Sequence, residues 1–157
     1  MKIINQFAQF NSRESRSQFI YQNYSMILSN SILDVGCYEA PLRKMVNSTK
    51  YTGLDIAGKP DVIFNLEGVN RLPFDDKCFH SVLCIEVLEH IDNLHFIFGD
   101  LFRCSSKFVL VSLPNSWCNA RVKIERGTGD FLHYGLPFER PTDRHKWFFN
   151  TSHAIEF

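Results

Sequence analysis

Acidic residues end two neighbouring apolar runs of this chain, at positions where parallel sheets commonly bind ligands. Asp34 and Gly36 follow the run that begins at Ile32, and Asp55 ends the next run. Ligands of open α/β sheets lie beyond the carboxyl ends of the strands, beside the first strand. A glycine there lets the backbone approach a ligand closely, and an acid after the second strand can accept hydrogen bonds from both ribose hydroxyls. The spacing therefore predicts a site for a ribose-containing cofactor.

A third polar block, LPFDDKCFHSVLCIEVLEHI, leads into and out of a further predicted strand, Phe79–Ile85. Glu86, Glu89 and His90 follow that strand, so we expect them at the same edge of the sheet. Their spacing differs from HExxH, and we interpret them as a hydrogen-bonded turn without a metal. The three features together are more specific than the first alone, which also describes an ordinary strand exit.

Short apolar runs alternate with helix-like segments, which predicts βαβ units and a parallel sheet. The predicted elements are a helix over NSRESRSQFIYQNYSMIL capped by Asn11 or Ser12, the strand SILDVG, the short helix APLRKMVN, the strands KYTGLDIA and DVIFNL, the strand Phe79–Ile85, the helix NLHFIFGDLFRC and the strand KFVLVSLPN. Glycines and prolines punctuate residues 116–149, which predicts a long excursion before a helix start at NTSHAIEF.

The 157 residues predict a single domain, divided into a helical segment (1–30), a cofactor-binding core (31–115) and a substrate-side excursion (116–157). Because the chain stops inside a predicted helix, we expect the domain to be truncated. Lys plus Arg and Asp plus Glu both number 17, so no overall charge favours nucleic acid or a membrane.

The compartment is predicted to be the cytoplasm. The five cysteines form no CxxC pair and have apolar neighbours, which favours a reducing environment over a disulfide framework or a zinc site. The N-terminus is too polar for a secretory signal, and no apolar run is as long as a membrane span.

With these features in order, the sequence resembles the class I S-adenosylmethionine (SAM)-dependent methyltransferases of the small-molecule branch (types 11 and 23). The resemblance covers residues 31–115, with a weaker echo in RHKWFF, and it is carried by Leu72, Pro73, Phe74, Asp76, Phe79, Val82 and the EVLEH sequence that starts at Glu86. It implies a Rossmann-like three-layer α/β sandwich with a mainly parallel sheet of order 3-2-1-4-5. It also implies that the family's C-terminal strands 6 and 7 are absent from these residues.

The resemblance further implies a site for SAM, whose product is S-adenosyl-L-homocysteine. The cofactor-binding set would be Asp34, Gly36, Cys37, Asp55, Ile56, Asn65, Leu66, Ile85 and Glu86. Within it, the residues after strand one would line the methionine end, Asp55 the ribose hydroxyls and Ile56 the adenine. The residues after strand three would contact the adenine edge, and those after strand four the sulfonium region. Pro114 and Asn115 end strand five, where the acceptor approaches in the family.

Tyr38 and Ala40 depart from the family, which usually has glycine at both positions. SAM carries no pyrophosphate, so one glycine at the closest approach can suffice. We expect Tyr38 to be accommodated with its backbone at negative φ and its ring pointing away from the ligand or covering it.

Methyl transfer from a sulfonium mainly requires that acceptor and donor be positioned, although an oxygen acceptor also needs a base. Among the histidines, His90, His133 and His145 are predicted near the carboxyl edge or in the excursion. We take His145 and His90 as the candidates for a general base or a substrate contact.

A basic cluster of Arg140, Arg144, His145 and Lys146 allows two interpretations. As a site it would favour an anionic acceptor, and otherwise it is a solvated loop. Trp117 and Trp147 would wall that pocket or belong to the core.

The leading hypothesis is a SAM-dependent methyltransferase that acts on a small-molecule or glycan-type acceptor. The alternative is a degenerate methyltransferase-like module that binds SAM or a partner without catalysis, which Tyr38 and Ala40 favour. A nicotinamide-dependent enzyme is disfavoured because GxGxxG is lacking. An uncovered edge on strand five would favour a homo-oligomer.

Overall fold

A computed structural model of the chain describes residues 8–47, 50–115 and 144–157. The helices are α1 (Arg13–Tyr24), α2 (Leu94–Cys104) and α3 (Thr151–Glu156), and the strands are β1 (Ile32–Val35), β2 (Tyr51–Asp55), β3 (Val62–Ile63), β4 (Phe79–Ile85) and β5 (Ser105–Ser112). Two short 3₁₀ helices, Pro41–Lys44 and Leu88–His90, follow β1 and β4.

The five strands form one parallel sheet in the order β3-β2-β1-β4-β5, which confirms the predicted fold class. β1 lies at its centre, with Val35 opposite Leu54 of β2 and Cys84 of β4. The carboxyl ends of these strands are therefore level, and the turns that follow them meet at one edge.

Alternate residues of each strand pack into two separate cores, because successive side chains point to opposite faces of the sheet. On the face of α1, Ile20 packs with Ile32 and Leu83. On the face of α2, Ile97 and Leu101 pack with residues that include Leu33, Val35, Leu54, Val82 and Cys84. The result is the expected three-layer sandwich.

The first helix has a side-chain cap at its N-terminus and little packing at its C-terminus. Ser12 caps α1 in a reciprocal capping box with Ser15, as one of the two predicted caps. The helix ends at Tyr24, four residues before the predicted end. Its only buried residue is Ile20, so little packing supports a longer helix.

Two other predicted elements need adjustment, and a third is confirmed. The segment APLRKMVN forms one turn of 3₁₀ helix with Pro41 in its first turn, because Ala40 before it adopts a left-handed conformation. The third strand pairs with β2 at only two residues. The final helix is confirmed as α3, where Asn150 Oδ1 accepts a hydrogen bond of 2.9 Å from the His153 amide.

Most of the predicted excursion, 116–143, lies outside the described residues, and with it His133, Arg140 and Trp117. No helix in the described ranges is long and apolar enough to cross a membrane. The described cysteines are reduced: Cys37, Cys78, Cys84 and Cys104.

Candidate functional site

The turn after β1 depends on glycine at Gly36 for two reasons. Its φ is +77°, in the left-handed region that favours glycine. A Cβ at this position would also lie 2.1 Å from Cγ2 of Val87, in the turn after β4. The Gly36 amide donates to the Leu54 carbonyl at 2.7 Å. Gly36 therefore brings together the exits of the three central strands.

Tyr38 and Ala40 keep the backbone conformation that glycine favours, with φ of +47° and +51°. The expectation of a negative φ at Tyr38 was wrong. The cause is the neighbouring loop: the Lys59 amide donates to the Tyr38 carbonyl at 2.7 Å, and a Cβ on Gly58 would lie 2.4 Å from that carbonyl. The turn thus departs from the family pattern in its side chains, while its conformation still suits glycine.

The Tyr38 ring points outward and is 42% exposed. The Arg13 guanidinium of α1 lies over it, 4.5 Å from the ring centroid, in a cation–π arrangement. The ring and α1 therefore border the same side of the turn.

Asp55 connects the turn after β1 with the turn after β2. Its Oδ2 accepts from the Tyr38 amide at 2.8 Å, and its Oδ1 accepts from the Ala57 amide at 3.0 Å. Each carboxylate oxygen can accept a second hydrogen bond, so Asp55 retains capacity for a diol. The neighbouring Ile56 side chain is 63% exposed and offers an apolar surface.

Asp34 is a buried carboxyl at the centre of the edge. Burial raises its pKa to about 6, although the hydrogen bond from the Tyr51 hydroxyl and the positive charges of Arg43 and Arg16 oppose the rise. Asp34 therefore remains largely ionised at neutral pH. Sequence reasoning missed Tyr51, although its two-residue spacing from Gly53 and Asp55 places it on their face of β2.

Glu86, directly after β4, also adopts a left-handed conformation, with φ of +56°. Its Oε1 accepts from the Ser112 hydroxyl at 2.8 Å, and its Oε2 lies 3.8 Å from the Arg16 guanidinium. Ile85 is partly buried in the core beneath α1. Arg13 and Arg16, which sequence reasoning missed, share one face of α1 at a spacing of three residues.

Not every predicted cofactor residue presents its side chain at the surface. Cys37 is buried, and burial together with the Asp34 charge raises the pKa of its thiol to about 12, so it is no nucleophile. Leu66 is buried in the core beneath α2. Asn65 is exposed, and its Oδ1 accepts from the Glu67 amide at 3.0 Å.

His90 and His145, 55 positions apart, lie side by side with ring centroids 4.6 Å apart. The Lys146 amide donates to the Glu89 carbonyl at 2.7 Å, which fixes His145 against the 3₁₀ helix after β4. Glu89 is fully buried, and its Oε1 lies 3.7 Å from Nε2 of His90. The two candidate catalytic histidines therefore belong to one cluster.

The other members of the basic cluster have different surroundings. Lys146 pairs with the carboxylates of Glu67 and Asp92, and Arg144 is exposed. The Trp147 indole donates to the Ile91 carbonyl at 2.7 Å and packs against the core beneath α2. The structure thus supports a core role for Trp147 and a structural ion pair for Lys146.

The LPF block, which carries much of the sequence resemblance, attaches the β3–β4 connection to α2. The Leu72 amide donates to Asp100 at 2.6 Å, and Arg103 donates to Asp76 and to the Phe74 carbonyl, both at 2.8 Å. These contacts make the block a structural brace between the β3–β4 connection and α2.

The sheet order β3-β2-β1-β4-β5 is the one that the class I methyltransferase resemblance implies. Residues 33–107 match the methyltransferase domain family of type 11, which confirms the resemblance. The matched residues include most of β1, all of β2, β3, β4 and α2, and the start of β5. No curated protein sequence gives a significant match.

Three solved structures are similar to this chain, and the first of them, with a TM-score above 0.5, shows the shared fold. A SAM-dependent methyltransferase from Thermotoga maritima, described as a possible histamine N-methyltransferase, is 13% identical with a TM-score of 0.51 over 89% of this chain and 75% of that one. A protein from Pyrococcus horikoshii is 18% identical with a TM-score of 0.49, covering 72% of this chain and 65% of that one. The [4+2]-cyclase SpnF is 14% identical with a TM-score of 0.46, covering 59% of this chain. The chain spans only 40% of the cyclase.

The residues at this edge fit SAM, which carries a cationic sulfonium, an ammonium group and a ribose diol. Asp34 and Asp55 supply carboxylates at the exits of adjacent strands. Asp55 has acceptor capacity for a diol, and Ile56 provides an exposed apolar surface beside it. These residues thus have the negative charge, the hydrogen-bond acceptors and the apolar surface that the cofactor requires.

Proposed function

We propose that this chain is an enzyme that transfers a methyl group from SAM to a small-molecule or glycan-type acceptor. The observation that carries the proposal is Asp55, whose carboxylate connects the turns after β1 and β2 and which is followed in sequence by the exposed Ile56. This arrangement suits recognition of a nucleoside, with the ribose on the carboxylate and the adenine on the isoleucine.

The remaining residues at the edge would orient the other end of the cofactor. Asp34, largely ionised and held by the Tyr51 hydroxyl, would accept from the ammonium group, and Glu86 would lie near the sulfonium. Arg16 neutralises part of the charge of both carboxyl groups and limits their repulsion. SAM supplies an already activated methyl group, so positioning of the acceptor is the main task of the protein.

The acceptor would approach from the side of β5 and the segment 144–150. His90 and His145 would act there as a general base or as contacts to the acceptor, which is their predicted role. Lys146 is paired to two carboxylates, so among the described residues of the basic cluster the exposed Arg144 would favour an anionic acceptor.

Titration calorimetry of the whole chain with SAM, S-adenosyl-L-homocysteine and NAD tests the proposal. We expect micromolar binding of the first two and none of NAD. Asp55→Ala should abolish binding, because the ribose loses its acceptor. The matched control is Asp75→Ala, which removes an exposed carboxylate from the LPF block.

Two results would contradict the proposal. Failure of the folded wild-type chain to bind SAM would leave the non-catalytic interaction module as the explanation. Equal SAM affinity in Asp55→Ala and Asp75→Ala would remove Asp55 from the site. A circular dichroism spectrum of each variant checks that the fold is retained.

A further inference from the structure

We propose that Glu89, His90 and His145 form a binding site for a divalent transition-metal ion. Each side chain offers one ligand atom, and the three atoms lie within 4.8 Å of one another. Glu89 is fully buried and both histidines are half-buried. The spacing of Glu89 and His90 in the sequence differs from known metal motifs and argued against a metal. The third ligand, His145, comes from a distant segment, so the sequence pattern could not reveal it.

The separations suit a single ion. Ions of this class lie about 2.0–2.2 Å from imidazole nitrogen and carboxylate oxygen, so two ligands of one ion are at most about 4.4 Å apart. The distance of 3.7 Å between Glu89 Oε1 and His90 Nε2 falls within this limit. All three ligand atoms lie within 4.8 Å of one another, a span that rotation of the half-buried imidazoles can reduce to fit one ion.

The third ligand is held in place by the segment that carries it. The Lys146 amide donates to the Glu89 carbonyl at 2.7 Å, and its ammonium group lies 3.1 Å from Asp92. The Trp147 indole donates to the Ile91 carbonyl at 2.7 Å. Three contacts thus fix His145 to the same loop that supplies the other two ligands, so the donor set is preorganised.

The donor set indicates the kind of ion. Two imidazoles and one carboxylate suit Zn²⁺, Fe²⁺ or Co²⁺ better than Mg²⁺ or Ca²⁺, which prefer all-oxygen sites. Three protein ligands are typical of a site that keeps an open position for water or substrate.

The use of this open position rests on the proposed function. A metal-bound acceptor hydroxyl would have a lowered pKa and would lose its proton to water, which favours an oxygen acceptor. As metal ligands, His90 and His145 would then hold the acceptor through the ion and would not act as a general base. The acceptor oxygen then forms a bond to the methyl carbon as the carbon–sulfur bond breaks, and its electron pair stays on sulfur. The products are the methyl ether and S-adenosyl-L-homocysteine.

Titration of the EDTA-treated whole chain with Co²⁺, followed by visible absorption and calorimetry, tests the site directly. We expect one Co²⁺ per chain with absorption bands of histidine coordination. His90→Ala and His145→Ala should each weaken binding by roughly tenfold or more. The matched control is His80→Ala, which removes an imidazole near the amino end of β4, at the opposite edge of the sheet.

The proposal is overturned if the folded wild-type chain does not bind Co²⁺, or if both histidine variants bind it as the wild type does. Because Glu89 is buried, Glu89→Gln is interpreted only where circular dichroism shows a folded protein. SAM titration without metal separates the two proposals. Co²⁺ binding without SAM binding supports the metal site and removes its role in methyl transfer, whereas SAM binding without Co²⁺ binding overturns the metal site alone.

Discussion

Asp34 combines a buried position with a charge, and this combination has a consequence for stability. Its pKa of about 6 in the folded chain lies above the ordinary value of 3.8, because burial disfavours the ionised form. The folded state therefore binds more protons than the unfolded state between these values. Stability is highest below about pH 4 with respect to this group, and it falls as the pH rises to about 6. A buried carboxylate of this kind is typical of a ligand-binding site, where it is kept for its function despite the lower stability of the fold.

We predict that Asp34→Asn removes this pH dependence. The amide keeps an oxygen that accepts from the Tyr51 hydroxyl but carries no charge, so the variant should gain up to about 3 kcal/mol relative to wild type between pH 4 and pH 7. Urea unfolding across this range measures the difference. The same variant should bind SAM more weakly at pH 7, because the ammonium group loses its partner.

Asp75→Asn is the control for this pH series, since it removes an exposed carboxylate. Parallel stability curves for Asp34→Asn and the wild type would show that Asp34 titrates normally in the folded chain. Such a result would contradict the burial argument.

At the scale of an element, the turn after β1 concentrates left-handed residues at Gly36, Tyr38 and Ala40. Non-glycine residues in this conformation cost of the order of 1–3 kcal/mol. The turn keeps the conformation because the loop at Gly58 packs against it and Asp55 accepts from its backbone.

We predict that Tyr38→Gly is more stable than Tyr38→Ala, by about 1 kcal/mol. Both changes remove the ring and its contact with Arg13, so their difference isolates the backbone. At ordinary positions the order is reversed, and alanine is favoured over glycine by roughly 0.4–1 kcal/mol. The exposed neighbour Glu39 supplies the control pair, because its φ is not positive. Chemical denaturation of the four variants gives the comparison, and the same order at both positions would contradict the left-handed conformation of Tyr38.

The elements that the sequence predicted well are those with a local signal. The apolar run of β4 was placed correctly at Phe79–Ile85, and the apolar stripe of α2 was recognised despite Gly99. The sign of φ at Tyr38 was missed because it depends on packing against Gly58, which no local pattern shows. The helix predicted at Pro41 was too long for a similar reason, since the left-handed Ala40 restricts it to one 3₁₀ turn.

The candidate site was predictable to the same extent. Asp34 and Asp55 were predicted to lie at one edge because the carboxyl ends of parallel strands converge, and the structure places them there. The pairing of His90 with His145 was not predictable, because it requires two distant segments to meet. The roles of Arg16 and Tyr51 were also missed. Arg16 contacts Glu86 from α1, and Tyr51 contacts Asp34 from the start of β2, so both contacts join segments that are distant in the sequence.

At the scale of the whole molecule, the segment 144–157 joins the end of the described chain to its centre. Trp147 and Phe149 pack into the core beneath α2, and the Phe157 ring lies 4.2 Å from that of Phe98. The contacts of Asp34 and Asp55 come instead from β2 and from the turns after β1 and β2. The side of the edge with Asp34 and Asp55 and the side with His90 and His145 therefore rest on different parts of the molecule.

We predict that Trp147→Phe separates these two sides. Phenylalanine cannot donate to the Ile91 carbonyl, so the variant should lose about 1–2 kcal/mol of stability and release its hold on His145. Co²⁺ binding should weaken while SAM affinity stays unchanged, which calorimetry with each ligand measures. Phe96→Leu, which alters a 61% exposed aromatic side chain on α2, is the control and should change neither affinity. An equal loss of SAM and Co²⁺ affinity in Trp147→Phe would show instead that the two sides are one cooperative unit.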